Sequence, residues 1–138
     1  MQTRVWWMRA VGGFYLLLTL MNVYILGFNS DYMADTLPFD AGPNGVRAFN
    51  DAWMVFIAEL GVLGAMLVYG STRAGQAGLL ILTVVLAEVF RGVVADAIWI
   101  NRGYSAGSYG AFIVVHLVII TTGVLALRRG GQASTPGG

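Results

Sequence analysis

Four long apolar stretches decide what this chain can fold into. They cover about residues 6–28, 52–70, 78–100 and 108–127. Each has about 19 to 23 residues, the length a helix needs to cross roughly 30 Å of hydrocarbon at about 1.5 Å per residue. A water-soluble helix bundle keeps a polar face on every helix. The runs here show none, reading Leu16-Leu17-Leu18-Thr19-Leu20-Met21, Gly61-Val62-Leu63-Gly64-Ala65-Met66-Leu67-Val68 and Phe112-Ile113-Val114-Val115-His116-Leu117-Val118-Ile119-Ile120. Charge is correspondingly scarce, at 11% of residues against roughly 25% in soluble domains. The expected fold is all-α, a membrane-embedded antiparallel four-helix bundle forming a single domain over 1–129, with a Gly/Ser/Pro-rich disordered tail at 130–138.

The same scarcity excludes several functions. Eight Arg face seven acids, a net charge of +1 that argues against a nucleic-acid partner. With no Cys there are no disulfides, thiolate metal sites or thiol nucleophiles, and the single His excludes a site needing two imidazoles from one chain. The first span is too long for a cleavable signal and lacks a small-residue cleavage site, so it is expected to stay in the protein. Arg4, Arg9, Arg73, Arg128 and Arg129 fall on one side of the spans, Arg47 and Arg102 on the other. That bias places both termini in the cytoplasm. The loops 29–50 and 101–107 then lie outside, the first an acidic, solvated cap with Asp31, Asp35, Asp40 and a turn at Asp40-Ala41-Gly42-Pro43-Asn44-Gly45. Trp6, Trp7, Trp53, Tyr69, Trp99, Tyr104 and Tyr109 fall near span ends, where aromatic belts form.

Ionisable groups within spans are costly, about 2.5–3.5 kcal/mol on the insertion scale, and are candidates for function. Glu59 stands in span two, Glu88, Arg91 and Asp96 in span three, and His116 in span four; Asn22 adds an amide in span one. Counted inward from the outer ends, Glu59, Arg91 and His116 lie at similar depths of roughly 11, 14 and 12 Å. Glu88 and Arg91, three apart, share a face. Asp96 borders it at about 80°. Tyr15, Thr19, Asn22 and Asn29 make a polar stripe on span one, and Tyr109, Phe112 and His116 share a face of span four. These positions describe an interior cavity with polar contacts from Asn22, Glu59, Glu88, Arg91, Asp96 and His116 and walls of Trp53, Trp99, Tyr109 and Phe112. Three acids there share one Arg and at most one imidazolium, leaving a carboxylate in excess. Glu59, Glu88 and His116 have the donor types of a metal set, but the fixed charge of Arg91 repels a cation, so neither metal nor cofactor is expected. The Gly61–Gly64 spacing, with Ala58 and Ala65, suits close helix packing.

Four segments resemble the BphX-like family of small integral membrane proteins. They are Val11-Gly12-Gly13-Phe14-Tyr15-Leu16-Leu17, Asp51-Ala52-Trp53 with Glu59, Glu88-Val89-Phe90-Arg91-Gly92 with Asp96 and Arg102-Gly103-Tyr104, and the run from Phe112 to Ile120. The resemblance implies a four-helix protein of the bacterial inner membrane, of DoxX-like general character. That family accompanies genes for degrading aromatic compounds and has no assigned activity, so no catalytic residue carries over. The leading expectation is a non-enzymatic protein that binds or helps pass a small hydrophobic compound, aromatic or lipid-like, in contact with membrane lipid. The alternatives are a proton-coupled transporter working as a homo-oligomer, an intramembrane isomerase using Glu59 or Glu88 as base and His116 as acid, and an accessory subunit of a membrane complex.

Overall fold

The structure is a computed structural model and describes residues 1–131, all in helices and short connections, with no strand among them. Helix α1 spans Gln2–Phe28 and α2 spans Gly42–Gly70. The third apolar run is one continuous rod, Gly78–Asn101, built from α3 (Gly78–Ala87), a π-helical segment (Glu88–Val94) and α4 (Ala95–Asn101). Helix α5 spans Ala106–Gly131. Short 3-10 turns at Ser30–Thr36 and Ser71–Arg73 complete the chain. Four of these rods are long and apolar enough to cross a membrane.

Several sequence expectations need correction. Helix α2 begins at Gly42, so the second half of the expected outer loop is helical. The turn expected over Asp40–Gly45 is instead a helix start. Asp40 Oδ1 accepts the Gly42 N–H at 2.9 Å, and Pro43 sits in the first turn, where its missing N–H costs nothing. The tail expected from Gly130 is helical at its first two residues, since α5 continues through Gly131; the expectation for 132–138 lies outside the described residues. Trp7 is not an interface anchor. It is buried, packs where a Cβ on Gly123 would stand, and donates its Nε1–H to Thr122 Oγ1 at 3.0 Å.

Close packing follows from small residues. On α1 and α2, a Cβ added to Gly12 would stand 2.8 Å from the Gly64 carbonyl oxygen, so the two backbones touch only because both positions are glycine. Around this crossing the core gathers Met8, Val11 and Tyr15 of α1, Leu60 and Leu67 of α2, and Ile81, Val84 and Val85 of α3, with Ile119 and Ala126 of α5. Leu17, Leu20, Val55, Val62, Val114 and Val118 face outward, the inverse of a soluble bundle. Arg4 donates to the carbonyls of Ala126 and Leu127, and Arg9 to Ser71 Oγ, gathering the start of α1, the α2–α3 turn and the end of α5 at one end. At the other end, Gly103 (φ +91°) closes α4: its N–H reaches Ile100 O, and the Tyr104 N–H reaches Trp99 O. This is a Schellman close, and the Trp99 and Tyr104 rings, 6.0 Å apart, supply its apolar contact.

Helix α1 packs along both α2 and α5, and α5 packs along the whole third rod. Helix α2 meets that rod chiefly along α3 and parts from it beyond. Level with the π segment the two are joined through side chains, the Arg91 guanidinium lying 5.1 Å from the Phe56 ring of α2.

Candidate functional site

The polar residues of the spans converge on Glu88, which is 2% exposed. The Tyr15 hydroxyl donates to its Oε1, and Oε2 lies 2.6 Å from His116 Nδ1. On the far side of the imidazole, Nε2 stands 3.4 Å from Asp96 Oδ2. That oxygen is buried and makes no hydrogen bond among the described residues, so His116 is its nearest compensating group. Tyr15, Glu88, His116 and Asp96 thus form one chain of polar contacts joining α1, the third rod and α5.

The π segment is what makes this geometry available. Its turns are wider than those of an α-helix, so fewer degrees separate successive residues. Glu88, Gly92 and Asp96, which an α-helix would fan apart, are all buried together. Gly92 stands between the two carboxylates with no side chain, and the His116 ring fills the place of its missing Cβ, with Nδ1 at 2.5 Å and Cδ2 at 2.7 Å from that point. Glycine is required there for close approach.

Arg91 behaves differently. Its Nη2 lies 3.7 Å from Glu88 Oε1, too long for a direct hydrogen bond, and its side chain is 22% exposed. The guanidinium sits over the rings of Phe56 (5.1 Å) and Tyr15 (6.0 Å). It is positioned by these two aromatic faces, Phe56 from α2 and Tyr15 from α1, beside the Glu88 carboxylate.

Sequence reasoning placed Glu59 in this cluster, and the structure does not. Ile57, Leu60, Gly64 and Leu67 turn inward, and Glu59, two residues on from Ile57, points about 200° away to the exposed face. Equal depth does not imply equal direction. Its removal changes the charge count: Glu88 and Asp96 face Arg91 and His116, so the buried network is neutral when the imidazole is protonated. The expected excess carboxylate is the one outside. The donor set Glu59, Glu88 and His116 is likewise not assembled, and no metal-holding group of three His, Cys, Asp or Glu occurs among the described residues.

Asn22 also stands apart. It donates to Leu18 O and accepts the Trp53 indole N–H at 3.0 Å, tying α1 to α2. The four expected walls divide in two. Trp53 stacks on Phe49 and lies tilted against Phe56, while Trp99, Tyr109 and Phe112 form a separate edge-to-face cluster with Tyr104. Phe112 is 52% exposed and is an outer face of that cluster rather than a wall. An open apolar groove of about 940 Å³ runs between α1 and α5, lined by residues such as Trp6, Phe14 and Val118 and by no member of the charged network. Tyr15 was assigned only to a polar stripe, yet it is a central member. Its signal was an aromatic hydroxyl at helical spacing from Thr19 and Asn22 in an otherwise aliphatic run.

Comparisons with family models, with curated proteins and with solved structures gave no match to this chain.

Proposed function

We propose that this chain is a multi-pass protein of a bacterial inner membrane, with both termini cytoplasmic, an antiparallel bundle in lipid, and a binding site for a small hydrophobic compound carrying an acidic group. The observation that supports it is Arg91: a partly exposed guanidinium, ion-paired with Glu88 at 3.7 Å without a direct hydrogen bond and held against two aromatic rings. A planar fork of donors pairs bidentately with a carboxylate, and the Phe56 and Tyr15 faces suit an aromatic body beside it. The resemblance to the BphX-like family fits the same compound class.

Benzoate binding to the protein in lipid nanodiscs tests this, with benzyl alcohol as the analogue lacking the carboxylate. Benzoate is expected to bind and benzyl alcohol to bind about 10- to 100-fold more weakly, the range of one charge-assisted hydrogen-bond pair. Arg91→Gln should remove the difference. Equal binding of both probes by the wild type, or an Arg91→Gln variant that keeps the preference, overturns the reading.

One observation favours a second reading, proton transfer. His116 has a carboxylate at each ring nitrogen. An imidazole so placed can take a proton at Nε2 from protonated Asp96 while releasing its Nδ1 proton to Glu88, with no net change in its own charge. Proton uptake or release by unbuffered proteoliposomes on adding benzoate separates this reading from binding alone.

A further inference from the structure

The groove between α1 and α5 differs from the charged network in both place and chemistry. Trp7, Val11 and Ile119 line it as buried residues, and Trp6, Phe14 and Val118 as exposed ones. The Thr122 hydroxyl within it is already engaged, accepting the Trp7 indole N–H and donating to Val118 O at 2.6 Å, so the walls present apolar surface. One end is different. Gln2, Thr3 and Arg129 line it, at one level because the neighbouring Arg4 reaches the carbonyls of Ala126 and Leu127. This end carries five of the eight arginines, Arg4, Arg9, Arg73, Arg128 and Arg129, and none of the seven acids. Arg4 and Arg9 are bonded to the protein and Arg73 lies over the Tyr69 ring. Arg129 is exposed and makes no hydrogen bond or ion pair among the described residues. From Gln2 to Phe14 the groove is roughly 18 Å long at about 1.5 Å per residue, against roughly 15 Å for the hydrocarbon of one leaflet.

We propose that this groove seats one anionic phospholipid of the leaflet at the arginine end, with its phosphate against Arg129 and an acyl chain along Trp6, Val118 and Phe14. Charge complementarity selects the headgroup: a guanidinium with no acid at its level pairs with a phosphate oxygen, and Gln2 and Thr3 add neutral donors beside it. The walls select the rest, since they match an alkyl chain and offer a polar body nothing to bond. Length selects a phospholipid, because the groove runs from headgroup level through one leaflet and stops there. The Trp6 ring, near the charged end, stands where an indole meets the headgroup boundary. The inference rests on the proposed membrane location and not on what Arg91 binds.

Native mass spectrometry tests this on full-length protein extracted from isolated membranes into mild detergent, with equal amounts of phosphatidylglycerol and phosphatidylcholine of the same chains. The wild type should retain one phospholipid, with phosphatidylglycerol preferred about fivefold, the effect of one arginine near a charged headgroup. Arg129→Gln should remove that preference. Arg73→Gln, at the same end but outside the groove, should leave it unchanged. Ala10→Trp fills the groove from an exposed position and should abolish retention of both lipids, whereas Leu17→Trp, exposed on α1 outside the groove, should not. Membrane-extracted protein that retains no lipid, or retains both equally, overturns the proposal. So does an equal loss in Arg73→Gln and Arg129→Gln, the mark of a general lipid shell drawn by the arginines, or an Ala10→Trp variant that still holds lipid. Protein recovered in the soluble fraction before extraction overturns the membrane location instead.

Discussion

Gly92→Ala is a one-methyl perturbation whose effect can be worked through from the geometry. The new Cβ would clash with the imidazole of His116, with Nδ1 at 2.5 Å where ordinary van der Waals contact begins near 3.4 Å. The ring must therefore retreat by about 0.9 Å, the difference between those distances. Stretched by that amount, its 2.6 Å contact with Glu88 becomes about 3.5 Å, outside the hydrogen-bond range. Overpacking costs about 1–3 kcal/mol, and losing a hydrogen bond to a charged group about 1.5–3 kcal/mol. The two costs share one displacement and do not add in full, so the expected loss is about 2–4 kcal/mol. Reversible unfolding in mixed micelles, by titration with a denaturing detergent, measures it. The decisive comparison is a double-mutant cycle with His116→Ala. Without the ring the methyl has room, and Gly92→Ala should then cost no more than about 0.5 kcal/mol, as at an unconstrained site. A Gly92→Ala penalty that persists undiminished in the His116→Ala background refutes the steric argument.

Two further predictions concern separate parts of the molecule. Tyr15→Phe removes the hydroxyl that donates to buried Glu88 and should lower unfolding free energy by about 1–3 kcal/mol, the cost of one unsatisfied buried acceptor; the same micelle titration reads it, and wild-type stability would contradict the assignment of Tyr15 to the network. Orientation is checked by labelling intact cells with a membrane-impermeant maleimide. Ser105→Cys, beside Arg102, should react from outside, and Gln76→Cys, beside Arg73, only after the cells are opened; the reverse pattern contradicts the arginine bias.

The helices were legible because periodicity and length act locally. A run of apolar residues long enough to span a bilayer is helical whatever surrounds it, and three of the four spans end close to their expected bounds. Helix α2 was the exception, since the side-chain bond from Asp40 to Gly42 and the fit of Pro43 in a first turn convert a turn motif into a helix start. The site was legible by residue type and depth but not by direction. Glu88, Arg91, Asp96 and His116 meet, while Glu59 shares their level and faces away. Asp96, expected at the border of the Glu88 face, is buried beside Glu88 because the π segment changes the angular step within the third rod. No spacing rule for an α-helix contains that step. Tyr15 was underweighted because a tyrosine near a run of leucines reads as apolar bulk, and only its partner on another rod shows the hydroxyl in use.

The central claim is that one imidazole joins two carboxylates of the third rod inside the bundle. Because His116 is the single histidine, its ring nitrogens can be observed without ambiguity in the ¹⁵N spectrum of histidine-labelled protein in lipid. Glu88→Gln should move the Nδ1 resonance and leave Nε2 little changed, and Asp96→Asn should do the opposite. If both substitutions leave both resonances in place, or if the wild-type ring gives the averaged signal of an imidazole exchanging freely with water, His116 does not bridge the two carboxylates and the network does not exist.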